Sequence, residues 1–211
     1  MRILSLLPAA TEMACAIGLS NQLVGVTHEC DYPVAVASLP TATRTRIPPT
    51  ASSAEIDQLV REQLQTEAAL YTLDEDAFVR ANPELILTQT LCEVCAVAES
   101  EVQRAVKTLS TPPKIINLEP TRLHDVLDGL RAIGAAANRT AEAEIVIEQL
   151  QSRIADVRGR GIANARRPRT LLLEWIDPLF SAGHWNPELI ELAGGQAVLG
   201  VAGERSRTLR W

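Results

Sequence analysis

The sequence is poor in several things, and each shortage removes a class of function. Lys and Arg number 20 against 26 Asp and Glu, a formal net charge of −6. A polyanion is repelled by such a balance, so nucleic acid is not expected as a partner. No run of eighteen apolar residues occurs, so no membrane insertion is expected. Four cysteines in 211 residues are too few for a disulfide scaffold. Aromatic residues make up only 3% and histidines number three, so a local cluster of either is informative. No Ser/His/Asp order, Walker loop or G-x-G-x-x-G is found. Nothing therefore nominates an enzyme.

What is present is a core-forming chain, with 46% hydrophobic residues. Apolar runs alternate with helical patterns. Strands are expected at Arg2–Leu7, Leu23–Thr27, Leu85–Gln89, Lys114–Leu118 and Arg169–Trp175, with a weaker one at Ala69–Leu73. Helices are expected at Thr11–Gly18, Ser53–Thr66, Glu75–Asn82, Ala96–Leu109, Leu123–Ala137, Ala141–Arg160 and Pro187–Ala193. Such alternation predicts an α/β fold with a parallel sheet covered by helices. Ser52 and Glu55 have the spacing of a capping box. Gly18 closes one helix, and Asn82 before Pro83 ends another. Thr140 is placed to cap a long helix whose stripe is Val146, Leu150, Ile154 and Val157. At twenty residues that helix is about 30 Å long. The expected organisation is an N-terminal α/β lobe (1–138), a connecting helix (139–161) and part of a second α/β lobe (166–211). Roughly 45 residues seldom fold alone. The second lobe is therefore expected to be incomplete, to lean on the first lobe, or to lean on a second copy in a homodimer.

The opening, "MRILSLLPAATEMACAIG", imitates a signal peptide, but Glu12 interrupts the apolar stretch and "RILSLL" reads as a strand. As written, the chain reads as cytoplasmic. With a leader removed it would be periplasmic or at the cell surface.

Ligands of open parallel sheets bind outside the carboxyl ends of the strands. The first strand is followed by Pro8 and Ala9, the second by His28, Glu29 and Cys30, and "LILTQ" by "TLCEVC" with Cys92, Glu93 and Cys95. "KIINL" is followed by Glu119, and "TLLLEW" by "IDPLFSAGHW". Two of three histidines and three of four cysteines thus fall on one edge, while Cys15 reads as core. The C-x-x-C opens a predicted helix, whose dipole favours thiolate. His28, Cys30, Cys92, Cys95 and His184 together have the ligand types of a zinc or iron site. In an extended segment His28 and Cys30 would point the same way. The plainer reading makes them polar lining. Trp175, Phe180 and Trp185 fall within eleven positions and suit the apolar wall of a flat ligand as well as a core. Glu29, Glu93, Glu174 and Glu204 add negative charge near that edge. Arg44, Arg46, Arg205 and Arg207 read as solvent-facing, with anion binding as the sharper alternative.

Several stretches together carry a family resemblance. "RILSLLPAATEMACAIGLSNQLVGVTHECDYP", "NPELIL" and "RTLLLEWIDPLFSAGHWNPELIELAGGQAVLG" resemble the vitamin B12 and iron-siderophore binding proteins of ABC transporters. The "HEC", "CEVC" and "GHW" elements resemble a subgroup of these labelled cobalamin-binding. The resemblance implies two Rossmann-like lobes joined by one long helix, with limited hinge motion. It implies a non-catalytic binding protein of an uptake system, holding cobalamin or a related iron or metal chelate between the lobes. His28 stands where those proteins place an aromatic residue on the ligand. It also implies docking on an ABC permease through one acidic residue per lobe. Asp76 matches the first position, and the second would fall beyond Trp211. A bare-metal His/Cys site and a C-x-x-C thiol-redox protein remain the alternatives.

Overall fold

In the computed structural model, residues 1–66, 70–89, 97–162 and 166–210 are described. The first lobe is built on a parallel sheet. Its strands are β1 (Ile3–Ser5), β2 (Leu23–Gly25), β5 (Leu85–Thr88) and β6 (Lys114–Asn117), in the spatial order β2-β1-β5-β6. Between them in the chain lie α1 (Pro8–Ala16), β3 (Thr43–Thr45), α2 (Ser53–Thr66), β4 (Tyr71–Leu73), α3 (Glu75–Ala81) and α4 (Glu99–Val106). β3 and β4 form a separate antiparallel pair.

The apolar runs of β1 and β5 follow from burial on both faces. Side chains alternate between faces, so Ile3, Leu85 and Leu87 enter one core while Leu4, Leu6 and Ile86 enter the other. The first core is closed by Ala10, Ala14 and Ile17 from α1 and by α5 (Leu123–Ala136), through Leu127, Leu130 and Ile133. The second is closed by Phe78 and Ala81 of α3 and by Val102 and Ala105 of α4. β1 pairs in register with β5, Ile3 opposite Leu85 and Ser5 opposite Leu87, so the carboxyl ends of the central strands lie side by side.

Helix ends follow their local chemistry. Ser52 and Glu55 form the capping box, Glu55 accepting from the Ser52 N–H at 2.6 Å and its hydroxyl at 2.7 Å. α2 accordingly spans the expected residues. Asp74 caps α3 by accepting the Ala77 N–H. Asn82 takes a left-handed conformation, φ 40°, before Pro83.

The connecting helix is α6 (Thr140–Ile162), 23 residues and about 35 Å long. Its buried face differs from the expected one. Ala143 and Ile147 are fully buried, Val146 and Leu150 pack partly, and Val157 is exposed. Hydropathy alone undervalues Ala143, whose small side chain admits Gly134 of α5. A β-carbon at Gly134 would come within 2.7 Å of that of Ala143. Thr140 is the first helical residue rather than a flanking cap.

Beyond α6 lie β7 (Arg169–Thr170), β8 (Leu173–Ile176), β9 (Leu179–Ser181), α7 (Asn186–Leu192) and β10 (Gln196–Ala197). The strand expected over Arg169–Trp175 is two strands in two sheets. β7 pairs in parallel with β10, and β8 pairs antiparallel with β9. Leu171 and Leu172 between them are exposed, because the chain changes partner there. An apolar run does not reveal such a change. The last residues continue the hairpin: Ser181 N–H donates to Arg207 O at 3.0 Å and Leu209 N–H to Leu179 O at 2.7 Å.

Candidate functional site

At the carboxyl edge of β1 and β2, buried hydroxyls are linked to one thiol. Thr11 Oγ1 donates to Ser5 Oγ at 2.8 Å. Cys30 Sγ lies 3.1 Å from Thr11 Oγ1 and 3.5 Å from Thr27 Oγ1. Cys30 is 8% exposed and belongs to the core. Pro8 opens α1 and Ala9 is exposed beside it.

The chain turns at His28 and Glu29 rather than running extended. That turn separates His28 from Cys30, against the expectation that both point one way. Cys30 enters the core, whereas half-buried His28 is taken up by β3 and β4. Thr43 Oγ1, itself buried, accepts the His28 backbone N–H at 3.1 Å and lies 2.7 Å from His28 Nδ1. The ring of Tyr71 lies 5.4 Å from the imidazole, tilted by 30°. With its proton on Nδ1, His28 donates both groups to the two lone pairs of Thr43 Oγ1, and Nε2 keeps its own lone pair. Among the described residues Nε2 has no hydrogen-bond partner.

Glu29 closes this cluster. It accepts from Tyr71 Oη at 3.2 Å, and its N–H donates to Thr27 Oγ1 at 3.0 Å. Burial, with the Glu29 carboxylate second, pushes the Tyr71 phenol up to about 12. Sequence reasoning missed Thr43 and Tyr71. The alternation in "TATRTRI" is the signal that a strand lies there, but not that it meets residue 28. Arg44 of that strand is held by Asp74 at 2.6 Å rather than free for an anion.

The loop that carries His184 is organised by Glu174 of β8. Its Oε1 accepts the Gly183 N–H at 2.9 Å and the Asn186 amide at 3.1 Å, while Ser206 Oγ donates to Oε2. These bonds shape the "SAGHW" loop. His184 has φ 51°. Its N–H donates to Glu204 O at 2.6 Å, and Gly203 N–H donates to His184 O at 2.9 Å. The ring lies 6.0 Å from Trp185, and its Nε2 is buried without a partner. Trp175 faces Phe180 across the β8–β9 ladder and donates its Nε1–H to Asp177 O at 2.8 Å.

Cys92, Glu93 and Cys95 lie outside the described residues. Glu119 is exposed and accepts from Asn117 Nδ2 at 2.8 Å. Asp76 is exposed on the first turn of α3. Among the described residues, one group of three metal-capable side chains has its ligand atoms mutually within 4.8 Å: His124, Asp125 and Asp128. Asp125 there accepts from Thr121 and Arg122 at the start of α5, and Asp128 pairs with Arg131 at 2.8 Å. A groove of 1250 Å³ lies elsewhere, between α5, α6 and α7, lined by Leu127, Ile154, Leu192 and Val201 among others. None of the ligand- or metal-site residues expected from the sequence lines it, although Ile154 of the long helix does. Its aliphatic wall lies beside the connecting helix, and Leu123 and His124 at the start of α5 also line it.

No protein-family model matches the chain. The vitamin B12-binding protein of Pectobacterium carotovorum is 25% identical over 201 residues, 93% of this chain and 61% of its own length. That of Yersinia pestis is 24% identical over 200 residues, 93% of this chain and 59% of its own. The chain thus spans about 60% of the length of these curated relatives. Among solved structures, the periplasmic vitamin B12 binding protein BtuF of Vibrio cholerae superposes with TM-score 0.67 at 19% identity. The periplasmic haem-binding protein RhuT of Roseiflexus sp. RS-1 gives 0.70 at 20%. Each superposition covers 99% of this chain and 70% of the other. In sequence the chain is similar to vitamin B12-binding proteins, and in fold to periplasmic proteins that bind B12 and haem.

Proposed function

We propose that this chain is the substrate-binding component of an ABC-type uptake system, taking a flat metal chelate, a corrinoid or a haem, between two lobes bounded near 1–138 and 166–211. It carries out no catalysis. The observation that carries the reading is the fixed His28 imidazole. Thr43 holds Nδ1, which leaves Nε2 as the ring nitrogen free to meet the metal of a chelate. A hydrogen bond to the second ring nitrogen is what orients metal-bound histidines generally. The B12 and haem named for its relatives support the ligand class.

In this reading Trp175, Phe180, His184 and Trp185 form the facing wall, and Glu29 and Glu119 line the rim. Cys92, Glu93 and Cys95 would complete the edge. Asp76 is the docking residue toward a permease, and the chain works in the periplasm or at the cell surface. A bare zinc or iron site gains little support from Cys30, whose thiol is turned into the core among hydroxyls. The test is titration of the purified protein with cobalamin and with hemin, followed in the visible. One of the two is expected to show a saturable shift that His28→Ala removes. Absence of any shift or heat with both chelates sinks the proposal.

A further inference from the structure

Arg122 stands where the first lobe meets the second, immediately before α5. Its Nη1 donates to Glu188 Oε1 of α7 at 2.6 Å, and Glu188 Oε2 accepts the Leu123 N–H at 2.8 Å. One carboxylate of the second lobe thus satisfies both the guanidinium and an otherwise unpaired donor of a first-lobe helix. The other arm of the fork, Nη2, donates to Ala202 O at 3.2 Å. The guanidinium also lies close against the next residue: a β-carbon at Gly203 would meet Arg122 Nε at 3.2 Å and Cζ at 3.5 Å. Gly203 has φ 85°, so glycine is required there both for its backbone and for this approach.

The segment Arg122 grips is the one that holds His184. Gly203 N–H donates to His184 O, and His184 N–H to Glu204 O. His184 itself has a left-handed backbone and an enclosed, unpartnered ring nitrogen, so its own side chain supplies no hydrogen bond through Nε2 to fix it. We infer that Arg122 is a positioning residue: through Glu188 and residues 202–203 it registers the His184 loop of the second lobe on the first. As a statement about ligand binding, this rests on the proposed reading that the His184 loop is part of the site.

The experiment compares Arg122→Ala, Arg122→Lys and Glu188→Gln with the parent chain. The first readout is amide hydrogen exchange at His184 and Gly203, with Leu6 and Leu118 in the first-lobe sheet as references. Arg122→Ala is expected to speed exchange at the two loop amides about tenfold, the scale of one lost charge-assisted bond, and to leave the references unchanged. Arg122→Lys keeps a charge for Glu188 but loses the fork, and is expected to fall between. Unchanged exchange at both loop amides in Arg122→Ala overturns the inference, whatever the ligand. The second readout is the visible titration with cobalamin and hemin. A parent that binds one of them and an Arg122→Ala variant that binds it less tightly support the positioning role. Equal affinity despite faster loop exchange overturns it. A parent that binds neither overturns the proposed function, while the exchange result still decides whether Arg122 registers the loop.

Discussion

The two histidine loops are held in opposite ways. His28 is fixed by its side chain: Nδ1 reaches a buried threonine, the ring lies against Tyr71, and the strand behind it belongs to a four-stranded sheet buried on both faces. His184 is fixed by its backbone: both its main-chain groups are bonded to residues 203–204, while its ring nitrogen is enclosed and unpaired. Its loop follows the two-stranded β8–β9 pair and is held by the exposed Glu174 carboxylate of β8. Two-stranded units are marginal in isolation, and the β3–β4 pair that supplies Thr43 and Tyr71 to His28 is another of them. In the proposed site His28 thus presents an oriented ring with Nε2 unpaired, whereas the His184 ring nitrogen is enclosed. A buried polar atom without a partner costs about 1–3 kcal/mol, a cost that a ligand pairing with His184 in the proposed site would remove.

The contrast is most strongly tested in the first-lobe core. Phe78 is fully buried between α3 and the sheet, so Phe78→Ala is expected to lower unfolding stability by about 3–5 kcal/mol in urea titration. A loss below about 1 kcal/mol would mean that the first lobe is not the rigid partner. The matching test in the second lobe is Gly194→Ala. Gly194 has φ 87°, and its β-carbon would lie 2.7 Å from Gly161 O at the end of α6. The expected cost is about 1–3 kcal/mol, confined to the second lobe. Exchange at the Gln196 and Val198 amides, which pair with Pro168 and Thr170, should rise while that at Leu6 does not. A uniform rise would merge the two regions into one cooperative unit.

Next in size are the two supports of the proposed ligand wall. Thr43→Val keeps the shape and removes the hydroxyl that orients His28, and should weaken chelate binding about tenfold. Glu174→Gln keeps the shape of an exposed residue and removes its charge, and should weaken binding less, as exposed charges contribute little. Visible titration of both variants reads the difference. The reverse order would make the second wall the principal contact.

Much of the first lobe was legible because its signals are local or repetitive. Runs such as "LILT" are apolar on both faces since both faces are covered, and Ser52 with Glu55 marks the start of α2 by a contact three residues apart. The carboxyl edge of the sheet, where the proposed site lies, was legible in part because strand ends can be placed and then read. Four features were not. The partnership of His28 with Thr43 and Tyr71 joins residues far apart in sequence, and alternation says nothing of which neighbour a strand meets. The turn at residues 28–29, set by Thr27 and Thr43 hydroxyls, sends Cys30 into the core instead of onto the edge. The division of 169–176 between two sheets leaves no mark on hydropathy. The backbone conformation of His184 likewise depends on Glu204 and Gly203, some twenty residues onward.

The smallest expected effect concerns the ring beside His28. The folded protein holds the Tyr71 proton to about pH 12, whereas an unfolded chain releases it near pH 10. Between those values the unfolded state binds fewer protons than the folded one, so stability falls as pH rises. The contribution is fully present below about pH 10 and is lost on the way to about 12. Tyr71→Phe keeps the ring against His28 but removes both the ionisable group and the bond to Glu29. It should be slightly less stable near neutrality and show a shallower alkaline decline than the parent. Melting temperatures measured from about pH 9 to 11.5 compare the two slopes. Parallel slopes would place the phenol in solvent and detach Tyr71 and Glu29 from the His28 wall. That would leave Thr43 alone to fix the imidazole and narrow the difference between the two histidine loops.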